Sequence, residues 1–255
     1  MNEPVFDHSE GNELCARFAV YGKVLDALRA YCQKHDVHEF VPPKTVPGYA
    51  HHEYMHFTLN ANCERIILPY QLSLFNRVTT HFLNRQSCCI GPCYRLDEQA
   101  PYNLCAFNQF TFELFGENLV LLSEHVKGLL AASFEACNIN APMIQTIDLR
   151  EPSPPADDEI RQHANVTHVP LIVMYKKKGI NPLLNRPFND ELECAIELIL
   201  PQIGETLDGG IRDPQILQAL YGIKVLRPTM GASFGIERMV AYIMKAQSLK
   251  HVNLP

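Results

Sequence analysis

The stretch GASFGIERMVAYIMKAQ, residues 231–247, decides how the chain is read. It reads as a strand entering a helix. Upstream, ELECAIELILPQIGETLDGGIRD (191–213) reads as a strand, a turn and a Gly-rich loop. CCIGPCYRLDEQAPYNLCAFNQFTFELFG (88–116) reads as two strands around an exposed turn, Asp97 to Asn103, which is polar and contains Pro101. CERIILPYQLSLFNRVTTHFLNR (63–85) reads as a strand and a helix, and ENLVLLSEHVKGLLAASFEACN (117–138) as an amphipathic helix. Nearer the N-terminus, residues 11–34 carry apolar positions at helical spacing, and the Pro-rich FVPPKTVPGYA (40–50) must run extended. The segment REPSPPADDEIRQ (150–162) breaks every periodicity with three prolines and a charge run, and is expected to be an inserted excursion near 150–165. The order implies one α+β domain of mostly antiparallel strands with helices to one side.

Composition narrows the class. A chain of 255 residues, 47% hydrophobic, can bury a substantial core, and one large domain is the default. The first ten residues carry Glu3, Asp7 and Glu10 and lack the order of a signal peptide, and no apolar run approaches a membrane span. Nine scattered cysteines point to reduced thiols and a cytoplasmic setting rather than a disulfide framework. A net charge of −6 argues against a protein devoted to gripping a phosphate backbone.

Three arginines stand in separate segments: Arg95 after CCIGPCY, Arg212 after the Gly-rich loop and Arg238 in GASFGIERM. Each sits beside small residues or a strand end, and arginine binds carboxylate or phosphate in a fork. Glu197 and Glu205 add hard oxygen donors suited to Mg²⁺. Together these groups suit a nucleotide and a carboxylate held side by side. The cysteines 88, 89 and 93, with Cys105, have no zinc-knuckle spacing and read as buried thiols on a strand. His51, His52 and His56 read as loop histidines, and the run Lys176, Lys177, Lys178 as a solvent-exposed turn.

In order along the chain, HEFVPPKTV (38–46), YRLDE (94–98) and GASFGIERM (231–239) resemble the three motifs of class II aminoacyl-tRNA synthetases, in the spelling of the aspartyl/asparaginyl branch. Between the last two, Glu205 and Arg212 stand at that family's seven-residue spacing. The resemblance implies an antiparallel sheet flanked by helices, a homodimer with Pro43 at its interface, and an ATP-dependent ligase that forms an adenylate from an aspartate- or asparagine-like acid. It implies that Arg95 holds the α-phosphate and the reacting carboxylate, and that Arg238 meets the γ-phosphate and one face of adenine. Asp97 and Gly235 would complete the ATP site, and Glu197 and Glu205 would hold Mg²⁺. Tyr70 and Gln71 lie in the expected substrate loop, and Arg212 would grip the substrate's side-chain end. Phe107 and Phe110 compete for the other face of adenine. Phe107 is preferred, because alternation then sets Gln109, Thr111 and Glu113 on its face and leaves Phe110 and Phe112 to the core.

Departures from the pattern bear on the substrate. Thr111 stands where an acid would face the α-ammonium, Tyr102 and Asn103 where an Arg-His pair would meet the γ-phosphate, Asn76 where a lysine would pair with aspartate, and Thr229 where histidine is usual. These imply a small polar acid with a relaxed demand for a free α-amine. In this branch an anticodon-binding barrel precedes the first motif, for which the residues before Pro43 leave no room, so tRNA is not expected as a specifically read partner. Stand-alone relatives make asparagine, load carrier proteins or modify a lysine. A non-catalytic nucleotide- or metabolite-binding protein is the alternative.

Overall fold

The computed structural model describes residues 8–44, 58–61, 64–95, 103–178, 185–215, 218, 222, 225, 227–249 and 252. Ten strands are present among them: β1 (His38–Glu39), β2 (Thr58–Ala61), β3 (Glu64–Ile67), β4 (Ser87–Tyr94), β5 (Ala106–Phe115), β6 (Gln145–Asp148), β7 (Leu171–Met174), β8 (Ala195–Leu200), β9 (Gly204–Ile211) and β10 (Thr229–Gly235). Five helices accompany them: α1 (His8–Lys34), α2 (Ser73–Leu83), α3 (Leu119–Ala136), α4 (Asp157–Thr167) and α5 (Ile236–Met244). Eight strands form one sheet in the order β1-β4-β5-β10-β9-β8-β7-β6, and β2 and β3 form a separate hairpin. The six central strands are antiparallel, and β1 and β6 pair in parallel at the edges.

Alternation in the central strands assigns the two faces of the sheet. Phe110 and Phe112 of β5, Ala232 and Phe234 of β10, and Ile196 and Leu198 of β8 point into the main core. That core is closed by Val24 and Leu28 of α1, Leu122 and Val126 of α3, and Met239 and Val240 of α5. The opposite face carries α2 at one end and α4 at the other. Helix α4 packs Ile160 and Ala164 on Leu171, Val173 and Ile199, and the segment leading into α2 packs Leu72 on Cys89 and Cys93. Helices therefore lie on both faces rather than on one side, and among the described residues no helix covers the second face between α2 and α4.

Two local expectations change. Residues 150–156 are irregular, but from Asp157 the expected excursion is helix α4, which carries the chain between the parallel strands β6 and β7. Its first turn holds Asp157, Asp158 and Glu159, favourable at the positive end of a helix, and Glu159 Oε2 accepts a hydrogen bond from Ala156 N at 2.8 Å. The Gly-rich stretch is the strand β9, not a loop. A side chain at Gly209 would collide with Ala232 on β10 and one at Gly210 with the Cys194 carbonyl and Asn185, so bare backbone lets neighbouring segments close on it. Among the described residues, no helix is long and apolar enough to cross a membrane.

Candidate active site

The open part of the second face is a cleft of about 250 Å³. Its walls come from the loop before α2 (Tyr70, Gln71), the end of β4 (Arg95), β5 (Phe107, Gln109), β9 (Glu205, Asp208), Arg212 just beyond β9, β10 (Ser233, Gly235) and α5 (Arg238). Nine residues expected from the sequence thus meet in one place. Phe107, Gln109, Thr111 and Glu113 share a face of β5 as alternation requires, with Phe107 and Gln109 at the cleft surface and Thr111 and Glu113 fully buried. Phe110 and Phe112 are in the core on the other face.

Several cleft residues are held by specific neighbours. Tyr94 N donates to Pro69 O at 2.8 Å, docking the 68–72 loop on β4, and Gln109 Oε1 accepts from Leu72 N at 2.7 Å at the entrance to α2. The Arg95 guanidinium lies 4.5 Å from the centre of the Tyr70 ring and 4.9 Å from that of Phe107. Arg238 donates to the Glu205 carbonyl and, at 2.9 Å, to Asn103 Oδ1. Gly235 lies between Phe107 and Arg238: a methyl group there would reach Phe107 Cδ2 at 3.8 Å and Arg238 Cγ at 4.0 Å. The missing side chain leaves van der Waals room between the Phe107 ring and the aliphatic stem of Arg238.

Arg212 is 5% exposed and anchored from below. Its Nε donates to both Glu113 oxygens at 3.2–3.3 Å, and Nη1 donates to Asn185 Oδ1 at 3.0 Å. Arg77, also fully buried, approaches Glu113 at 3.9 Å. Glu113 reaches this position only because Gly231 above it has no side chain. Neighbouring Glu237 fixes α5: it accepts from Tyr21 Oη at 3.1 Å, Asn108 N at 2.9–3.0 Å and Asn108 Nδ2 at 3.0 Å. Burial raises the Glu237 pKa, and the Asn108 donors pull it back.

Other expected site residues fall elsewhere. Asn76 is not at the cleft surface: it is fully buried in α2, where Oδ1 accepts from Ser87 Oγ at 2.7 Å and Nδ2 donates to Ser87 O at 3.2 Å. Thr111 lies under the floor and accepts from Ser233 Oγ at 2.9 Å. Thr229 is buried behind Arg212, accepting the Arg212 N–H on its carbonyl at 2.9 Å. Asp97, Tyr102, His51, His52 and His56 lie outside the described residues. Cys88, Cys89 and Cys93 are free, buried thiols and Cys105 is exposed.

The acidic wall differs most from expectation. Lys176 is not in a solvated turn; its Nζ sits 3.1 Å from Glu197 Oε2 and 3.3 Å from Asp208 Oδ1. Arg161 of α4 approaches Glu197 at 3.5 Å and Glu205 at 4.0 Å. Burial opposes the charge on Lys176, but Asp208, Glu205 and Glu197 outweigh it and raise its pKa above the ordinary lysine range. The Glu205 pKa is raised, by burial and then by the charge of Glu197. Glu197 itself stands behind the cleft surface. Among the described residues, no group of three or more acidic, histidine or cysteine side chains is arranged to hold a metal ion. Two side-chain cations stand where Mg²⁺ was expected, so the donor set does not fit a divalent ion. Asp208, Lys176 and Arg161 were not singled out as site residues from the sequence.

The Entamoeba histolytica asparaginyl-tRNA synthetase in complex with asparaginyl-adenylate superposes with a TM-score of 0.78 over 99% of this chain and 71% of that one, at 14% identity. The chain has the fold of a class II asparaginyl-tRNA synthetase. The Pyrococcus horikoshii asparaginyl-tRNA synthetase, also complexed with asparaginyl-adenylate, gives 0.77 over 95% of this chain and 68% of that one, at 17% identity. No family model and no curated protein sequence matches this chain.

Proposed function

We propose that this chain is an AMP-forming ligase that activates a small polar acid, aspartate- or asparagine-like, as its adenylate. The observation that carries the reading is the meeting of Arg95, Arg212 and Arg238 in one cleft, with the Phe107–Gly235–Arg238 slot between them. Two of the structures with this fold hold asparaginyl-adenylate. In the proposed step a carboxylate oxygen attacks the α-phosphorus of ATP, the new O–P bond forms, the bond to the bridging oxygen breaks, and pyrophosphate leaves with that electron pair. Adenine occupies the slot. Arg95 lies between the α-phosphate and the carboxylate and neutralises charge on both, and Arg238 meets the outer phosphates. Arg212 faces the substrate's side-chain end. The work is positioning and charge neutralisation, without a protein nucleophile. The net charge of −6 supports an acceptor other than tRNA.

Arg238→Ala should weaken ATP binding by about 2 kcal/mol, because a charge-assisted contact and a stacking face are lost together. Titration calorimetry measures this, and equal affinity in variant and parent would rule out the slot as the nucleotide site. A second reading, a non-catalytic binding protein, is favoured by the side-chain cations on the acidic wall.

The reading includes a homodimer. Strand β1 is the outermost strand on its side of the sheet, and the extended segment after it leaves Val41 88% exposed with Pro43 exposed beside it. Apolar surface at an unpaired sheet edge is suited to burial against a second copy. Light scattering is expected to give twice the chain mass at micromolar concentration; a stable monomer would refute the assembly.

A further inference from the structure

We propose that Lys176 and Arg161 are the resident counter-ions of the acidic wall, standing in the place of a divalent cation, so that Glu197, Glu205 and Asp208 hold no magnesium. The wall carries three carboxylates, and each meets at least one of two side-chain cations. Lys176 reaches Glu197 and Asp208 across two adjacent strands, which the register brings side by side as the pair Glu197 and Asp208. Arg161 reaches Glu197 and Glu205 from the helix above. Glu197 Oε1 is buried without a hydrogen bond, the kind of oxygen a metal would seek, yet it faces the Arg161 guanidinium at 3.5 Å. Magnesium requires several oxygens at about 2.0–2.1 Å in near-octahedral array. To enter, it would have to expel an ammonium that bridges two of the candidate ligands, and would then sit beside two like charges.

The position of Lys176 makes this substitution possible. The lysine follows β7, whose Val173 pairs with Glu197, so its side chain runs along the β8 and β9 surface toward the acids rather than outward. One net negative charge remains on the wall after the two cations are counted. The phosphates of a bound nucleotide are then met by Arg95 and Arg238, with no protein-held divalent ion between them and the wall. The inference shares its cleft with the proposed ligase, but its test requires neither nucleotide nor turnover, so the two can fail separately.

The test is Mn²⁺ binding to the full chain, read from the paramagnetic resonance signal of free aquated Mn²⁺. The parent is expected to leave that signal unchanged at sub-millimolar metal. Lys176→Met is expected to bind Mn²⁺ more tightly by on the order of tenfold or more, the scale on which groups around a metal site move its affinity, and adding Glu197→Gln should remove the gain. Circular dichroism checks folding, and Lys176→Gln, which keeps length and polarity, replaces the methionine variant if that one does not fold. Tight binding by the parent that Glu197→Gln abolishes would overturn the proposal, as would folded lysine variants that bind no better than the parent.

Discussion

Arg212→Leu is expected to abolish activation of aspartate- or asparagine-like acids while leaving ATP binding in place. Arg212 lines the cleft, is 5% exposed, and its orientation is set by Glu113 and Asn185. Leucine would leave the substrate's polar end unpaired in a desolvated site, a loss of about 2–5 kcal/mol, or roughly 30- to several-thousand-fold in exchange rate. The nucleotide groups Arg95, Phe107 and Arg238 belong to other segments and do not depend on it. Stability should fall as well, because Glu113 loses its closer cation; removing one partner of a buried pair costs about 3–5 kcal/mol, moderated here by Arg77 at 3.9 Å. Calorimetry with ATP on the same sample separates the two effects. Unchanged exchange would show that Arg212 is purely structural.

The second large effect is expected at Gly231→Ala. The added methyl would overlap a Glu113 carboxylate oxygen and the Phe112 carbonyl on β5, so either the strand pair spreads or the carboxylate leaves Arg212. The carboxylate is held by Arg212, and the carbonyl belongs to the backbone of β5. Overpacking of this kind costs about 3 kcal/mol, which at roughly 2–4 °C per kcal/mol for a chain of this size lowers Tm by about 6–12 °C. Differential scanning calorimetry measures it. A Tm within a degree of the parent would contradict the close approach of β5 and β10. Gly235→Ala is the useful contrast: its methyl would meet Phe107 and Arg238 only at van der Waals distance, so stability should hold while the slot narrows.

What the sequence made legible was strongly periodic or tied to a local break in periodicity. Two-residue alternation placed Phe107, Gln109, Thr111 and Glu113 on the cleft side of β5 and Phe110 and Phe112 in the core. The strand entering a helix in 231–247 is present as β10 followed by α5. What it hid depends on partners far along the chain. Three consecutive lysines look alike in sequence, and only the register of β7, β8 and β9 shows that Lys176 points at Glu197 and Asp208. Asn76 stood at an expected substrate position, but α2 turns that residue onto Ser87 of β4. In 150–162 the prolines masked the acidic first turn that starts α4, and in 204–211 the glycines suggested a loop where close strand packing needs them.

The central claim, that this cleft joins ATP to a small polar acid, is tested most directly by substrate-dependent exchange of labelled pyrophosphate into ATP across a panel of amino acids and dicarboxylates. The account predicts exchange with aspartate- or asparagine-like acids, lost in Arg95→Ala and Arg212→Leu. Exchange only with large apolar or aromatic amino acids, or none with any acid while ATP still binds, would contradict it; the second outcome would leave the non-catalytic reading standing.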